Sequence, residues 1–197
     1  PNTKNIGLEN TKVSVDNKGS IEVNDHLQTK DHHIYAIGDV SRGPMLAHKA
    51  SYQGKAAAEI IAKQRTKLED DLVPSVIFTD PEIASVGMTE TQAQEQGIAT
   101  TKGKFPFMVL SKAMIKNETQ GFVKVISDEK KHKILGVVIV GPDASTMISE
   151  AALAIKRGVS VEELAELIHP HPTMSESIGE AAEAVHNRAV HILNLKI

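Results

Sequence analysis

Two apolar runs, Gly121 to Ser127 and Ile134 to Val140, flank the polar turn Asp128-Glu129-Lys130-Lys131-His132, and this pairing constrains the fold most. So short a connection makes antiparallel neighbours the cheapest arrangement. Earlier strand candidates are Ser75 to Phe78, Ala84 to Met88 and Thr101 to Phe107, with a helix from Thr89 to Gln96 stopped by Gly97. After the paired runs the pattern turns helical. Ala144 to Arg157 is stopped by Gly158, Val161 to Ile168 by Pro170, and Met174 runs to about Leu193. Strands first and helices last predict an α+β fold with helices packed on one face of an antiparallel sheet.

The first seventy residues have a different character. Val13 and Val15 alternate with polar residues, Asp16-Asn17-Lys18-Gly19 is a turn signal, and Ile21 and Val23 resume the alternation, which predicts a hairpin. Ile34-Tyr35-Ala36-Ile37 reads as a buried strand that stops at Gly38-Asp39, and a helix is predicted from Met45 to about Arg65. The stretch Lys63 to Asp71 is polar and aperiodic, the pattern of a linker. Two domains follow from this, 1–71 and 72–197.

Composition removes several function classes. Across 197 residues, 22 Lys plus Arg against 25 Asp plus Glu leave a net charge of −3, which makes no electrostatic case for nucleic acid or a membrane surface. The absence of cysteine excludes disulfides, thiolate metal sites and a cysteine nucleophile from this chain. No apolar run approaches a membrane span and Pro1-Asn2-Thr3-Lys4 does not open a signal peptide, so the expected location is the cytoplasm.

The stretch richest in chemistry is His169-Pro170-His171-Pro172-Thr173-Met174-Ser175-Glu176. Thr173 to Glu176 reads as T-x-x-E before a helix, a capping box in which hydroxyl and carboxylate satisfy free backbone N–H groups. The same stretch also reads as a proton-transfer site. Proline fixes φ and aims the intervening imidazole, and a carboxylate within reach, Glu176 being nearest, would fix the tautomer of His171. No G-x-S-x-G supplies a serine nucleophile, and H-x-H with distant His186 and His191 has no zinc spacing, so no metal is expected there.

A second stretch runs from Thr29 through Gly38-Asp39 to Gly43-Pro44-Met45-Leu46-Ala47-His48. A strand ending in Gly-Asp puts a carboxylate where open α/β sheets bind ligands, and a helix start offers N–H groups to a carbonyl or anion. An ordinary strand and helix start would look the same.

Together the two stretches resemble the flavin-dependent pyridine nucleotide-disulfide oxidoreductases, essentially from end to end. Within that family the H-x-H-P-T-x-S-E string is similar to the branch that oxidises dihydrolipoamide with NAD+. Glutathione reductases typically carry two acidic residues where this chain has Glu176-Ser177 and lack His169, and mercuric reductases end in a cysteine pair absent beside Leu195-Lys196-Ile197. One departure is Met108-Val109-Leu110, where relatives more often carry small residues and an Asn.

The resemblance implies that residues 1–71 are the C-terminal part of an FAD-binding region and 72–197 a dimerisation domain. It implies that Asp39 binds the ribityl chain of FAD, that Met45, Leu46, Ala47 and His48 line the flavin's pyrimidine edge, and that His171 is the acid/base with Glu176 its partner. It also implies a cis peptide before Pro172, a homodimer in which both residues reach the other subunit's active site, and service to the lipoyl domain or acyltransferase core of a 2-oxo acid dehydrogenase complex. No G-x-G-x-x-G or cysteine pair is present. On this reading the chain is a C-terminal part of a longer polypeptide. FAD and NAD would belong to the full-length enzyme, and this part alone is expected to bind neither. The competing reading is a dimerisation module without catalytic role.

Overall fold

A computed structural model describes residues 1–65, 68 and 72–194. Much of the expected linker and the final Leu195-Lys196-Ile197 lie outside these residues. The chain forms two compact units, Pro1–Asp71 and Leu72–Ile197.

The first unit holds one long helix, α1 (Ala47–Ile61), and extended segments that make few ladders. The expected hairpin at Val13 to Val23 reduces to a single antiparallel bridge between Val15 and Ile21, and the expected strand at Ile34 to a bridge between Gln28 and Tyr35. The turn signal itself works as expected, since Asp16 Oδ1 accepts the N–H groups of Lys18 and Ser20, each at 2.8 Å. What the segments lack is a third strand among the described residues, and an isolated pair is marginal in water. Leu27 packs instead against Ala56 and Ala57 of α1, joined by Val23, Tyr35 and Ile37.

The second unit is a five-stranded antiparallel sheet in the order β1-β2-β5-β4-β3. Its strands are β1 (Ser75–Ile77), β2 (Ile83–Gly87), β3 (Thr100–Pro106), β4 (Phe122–Asp128) and β5 (Ile134–Val140). The β4–β5 pairing sets Val123 opposite Ile139 and Val125 opposite Val137, all four buried, so one sheet face becomes continuous with the core. On that face α4 (Ala144–Arg157) covers β2 and β5, and α6 (Glu176–Val185) covers β3 and β4. Ile148 and Ala151 of α4 and Ile178 and Ala181 of α6 point inward.

Close approach of α6 depends on Gly103 of β3, where a Cβ would run into the Ala181 carbonyl and the Val185 nitrogen. The shorter helices α2 (Glu90–Glu95) and α5 (Val161–Ala165) each begin with a complete capping box, Thr89 with Gln92 and Ser160 with Glu163.

Three expectations need correction. The final helix ends at Val185 because His186 leaves helical geometry and Asn187 turns the chain at φ 55, so Val190 and Leu193 are not part of it. α5 is three residues shorter than expected. Residues Phe107–Val109 form a 3₁₀ turn leading into an unexpected helix, α3 (Ser111–Lys116), and this turn accommodates Met108-Val109-Leu110 with Leu110 buried.

Candidate active site

The segment between α5 and α6 carries both histidines of the H-x-H string. The bond between His171 and Pro172 is cis. His169 is nearly buried, with Nε2 2.9 Å from Oε1 of Glu150 on α4, and its ring lies against Gly179 of α6. His171 points the other way, and 69% of its side chain is exposed.

Nδ1 of His171 lies 2.7 Å from Oε1 of Glu176, the first residue of α6. The second carboxylate oxygen accepts the Thr173 N–H at 2.7 Å. A carboxylate oxygen facing Nδ1 at that distance makes Nδ1 the protonated nitrogen of the neutral ring, so Nε2 carries the lone pair and faces outward. Burial pushes the Glu176 carboxyl up, but the Thr173 N–H, the His171 ring and the nearby His169 outweigh it and hold the group below the ordinary carboxylate value. Glu176 is therefore ionised at neutral pH.

The expected capping box is only half formed. Glu176 does reach back to the Thr173 N–H, but the Thr173 hydroxyl donates to the Pro170 carbonyl at 2.8 Å, and the cap position belongs to Ser175, whose side chain makes no cap bond. The threonine thus closes the loop that holds His171 and leaves the helix end to the backbone. A cleft of about 260 Å³ opens beside the pair, lined by Leu110, Leu167, His169, His171, Glu176 and Glu180 among others.

In the first unit, Asp39 is exposed on a 3₁₀ turn, Gly38–Val40. Gly38 sits at φ 67 with Ala50 of α1 too close for a Cβ, and its N–H donates to Gln53 Oε1 at 2.8 Å. The Ser41 hydroxyl donates to the Gly38 carbonyl at 2.9 Å. Met45, Ala47 and His48 are exposed and Leu46 half-buried, and α1 starts without a side-chain cap. Buried Lys49 ties down the preceding loop by donating to the Arg42 carbonyl at 3.0 Å.

Gln53, Lys49 and Glu150 were not foreseen. The first two are polar residues on the inner face of a predicted helix, a signal available in the periodicity, whereas Glu150 lies 19 residues from His169 with no pattern linking them.

This fold and site define a class. The chain belongs to the pyridine nucleotide-disulphide oxidoreductases: residues 73–182 match their dimerisation domain and residues 1–54 the family's pyridine nucleotide-disulphide oxidoreductase domain. Among its relatives, dihydrolipoyl dehydrogenase of Thermus scotoductus is 47% identical over 98% of this chain and 42% of its own length. The mitochondrial dihydrolipoyl dehydrogenase of Caenorhabditis elegans is 47% identical over 92% of this chain and 37% of its own length. In structure it is similar to LpdA from Mycobacterium tuberculosis (TM-score 0.84, 31% identity, 93% of this chain and 40% of that one). It is likewise similar to the HOCl-induced flavoprotein disulfide reductase RclA of Escherichia coli (TM-score 0.84, 28% identity, 93% and 42%). The chain spans about two fifths of the length of these relatives. No helix among the described residues is long and apolar enough to cross a membrane.

Proposed function

We propose that this chain is the part of a dihydrolipoyl dehydrogenase that supplies the acid/base pair and the subunit interface. The observation that carries the reading is the pair itself: an outward imidazole whose inner nitrogen is held by an ionised carboxylate. In this role Nε2 of His171 takes the proton from a thiol of dihydrolipoamide, leaving a thiolate and an imidazolium that Glu176 stabilises. Free thiols titrate near 8.5 and only the thiolate is nucleophilic, so a base working near neutrality raises the reactive fraction. The redox cysteines and the NAD site come from other parts of the full-length polypeptide, because this chain has no cysteine and no G-x-G-x-x-G.

The first unit fits a flavin by its own chemistry. Asp39 offers a carboxylate to a polyol chain from a turn buttressed by Gln53 and Ser41, and Met45 to His48 form the uncapped start of α1, suited to electron-rich carbonyls. Bound FAD would supply a two-electron acceptor beside the redox pair.

Apolar side chains left in solvent on the second unit support a homodimer. Phe78 is 79% and Ile168 93% exposed, and Ile168 directly precedes the H-x-H string, which suits an active site that crosses a twofold axis. Ala181 and Ala182 of α6 are buried in the unit's own core, so they are not part of this exposed apolar surface. The same reading takes the lipoyl domain or acyltransferase core of a 2-oxo acid dehydrogenase complex as partner and the cytoplasm as location, in line with the bacterial relatives. The test is turnover of the full-length enzyme with dihydrolipoamide: His171→Ala should lose most of it, and wild-type turnover would overturn the assignment.

A further inference from the structure

Away from the cleft, side chains from three separate elements meet at one oxygen. His132 sits in the β4–β5 turn, Glu162 in the first turn of α5, and His186 at the C-terminal end of α6. Nδ1 of His132 lies 2.6 Å and Nε2 of His186 2.8 Å from the same Oε1 of Glu162. The two rings are 5.2 Å apart and tilted by 46°. The other histidine–carboxylate pairs among the described residues, His169–Glu150, His171–Glu176 and His191–Glu180, join one ring to one carboxylate.

The backbone holds this convergence in place. The His132 carbonyl accepts the Val161 N–H at 2.8 Å, Lys133 bridges Ser160, and the Ser160–Glu163 capping box fixes the start of α5. His186 donates its N–H to the Glu183 carbonyl at 3.1 Å. The Glu162 carboxyl is held down at about 2, first by its own backbone N–H and then by the two rings, so it is a ready anion at any physiological pH. With both rings neutral the triad carries one negative charge. Two imidazoles and one carboxylate are donors that suit borderline divalent transition metals.

We propose that His132, Glu162 and His186 form a three-ligand site for one such ion, Zn2+ being representative, with water completing the coordination. Metal–ligand bonds of about 2.0–2.2 Å place tetrahedral donors about 3.4 Å apart. The three donor atoms already lie within 4.8 Å of one another, which leaves side-chain adjustments of about 1 Å. On binding the ion, each neutral ring shifts its single N–H proton from the nitrogen that faces the carboxylate to the opposite nitrogen, which frees the first nitrogen's lone pair for the metal. Partial exposure of all three side chains gives water and metal access. Bound there, the ion ties the β4–β5 turn, α5 and the end of α6 together, a clasp independent of the acid/base pair.

The test is titration of the full-length protein, stripped of metal, with Zn2+ by calorimetry and with Co2+ by visible absorption. Wild type should take up one more Zn2+ per chain than the His132→Ala/His186→Ala double variant, and its melting temperature should rise with Zn2+ where the variant's does not. Glu162→Gln keeps the side-chain volume and so reports even if the double variant folds poorly. It should weaken binding at this site by more than about a hundredfold, beyond the loss of a supporting partner alone, and remove the Co2+ bands that distinguish wild type from the double variant. Equal stoichiometry and equal Co2+ spectra in wild type and Glu162→Gln would overturn the proposal and leave a hydrogen-bonded triad only.

Discussion

Nδ1 of His171 is held at 2.7 Å by one oxygen of Glu176 while the other oxygen of that carboxylate grips the Thr173 N–H at the same distance. The orientation of an exposed ring is therefore set by backbone two residues away. In the full-length enzyme His171→Ala should lower turnover with dihydrolipoamide by about a hundredfold or more, the usual size of a positioned acid/base contribution. Glu176→Ala should cost less turnover, since the imidazole remains, but should also lower stability by about 1–2 kcal/mol because the half-buried Thr173 N–H loses its partner. Steady-state rates and thermal melts of the two variants separate these effects.

Thr173→Ala should be mild by comparison, about 1 kcal/mol or less, because the hydroxyl closes the loop onto Pro170 and does not cap α6. A loss as large as that of Glu176→Ala would show that the capping role was real after all. Thermal unfolding of both variants in one buffer decides it.

How much of this could be read from residues alone varies along the chain. Helix α4 lies where its apolar spacing and Gly158 put it, since a glycine at φ 62 is a strong stop. The same reasoning overran α6, where Ala189 and Ile192 continue an apolar pattern after the backbone has already turned at Asn187, a residue that tolerates left-handed geometry without announcing it. Ile34 to Ile37 has the composition of a strand but finds no ladder among the described residues, because a strand is a property of its neighbours. The His171–Glu176 contact was legible because its members lie five positions apart. The His132–Glu162–His186 convergence was not, because its members lie 30 and 24 positions apart and meet only through the Lys133–Ser160 bridge and the packing of α5 on α6.

Gly103→Ala should destabilise the second unit by about 2–3 kcal/mol, since its methyl group can be admitted only by lifting α6 from β3. Gly97→Ala is the informative control. It has open space around it but sits at φ 70, so its cost should be the smaller backbone penalty, about 1 kcal/mol. Urea melts of the two variants should rank them in that order.

Acid should find Glu162. Its carboxyl is held at about 2 in the folded chain against an ordinary value of 4.5, so the stabilisation is fully present above 4.5 and is lost as pH falls toward 2. Glu162→Gln cannot titrate, and its stability should fall less steeply than wild type across that window. Parallel slopes in urea unfolding at successive pH values would contradict this.

Ile168→Asp should leave the fold of the second unit intact, because a side chain 93% exposed carries no core packing, and should weaken self-association of the full-length protein. Sedimentation velocity reads the shift from dimer toward monomer. An unchanged dimer would place the interface elsewhere.

The strand order β1-β2-β5-β4-β3 also orders events in time. The β4–β5 pair closes across a short turn, and β3 joins β4 from nearby, whereas β2, whose local partner is only the three-residue β1, must wait for β5, more than forty residues later in the chain, before it can join the rest of the sheet. Local closure is fast and distant closure slow. This order of closure predicts that the hairpin carrying His132 forms early in the second unit and that the edge formed by β1 and β2 joins the sheet last. Amides of Ala84 and Val86 should accordingly gain protection after those of Val123 and Val125 in pulsed hydrogen exchange, although all four end equally deep in the folded molecule.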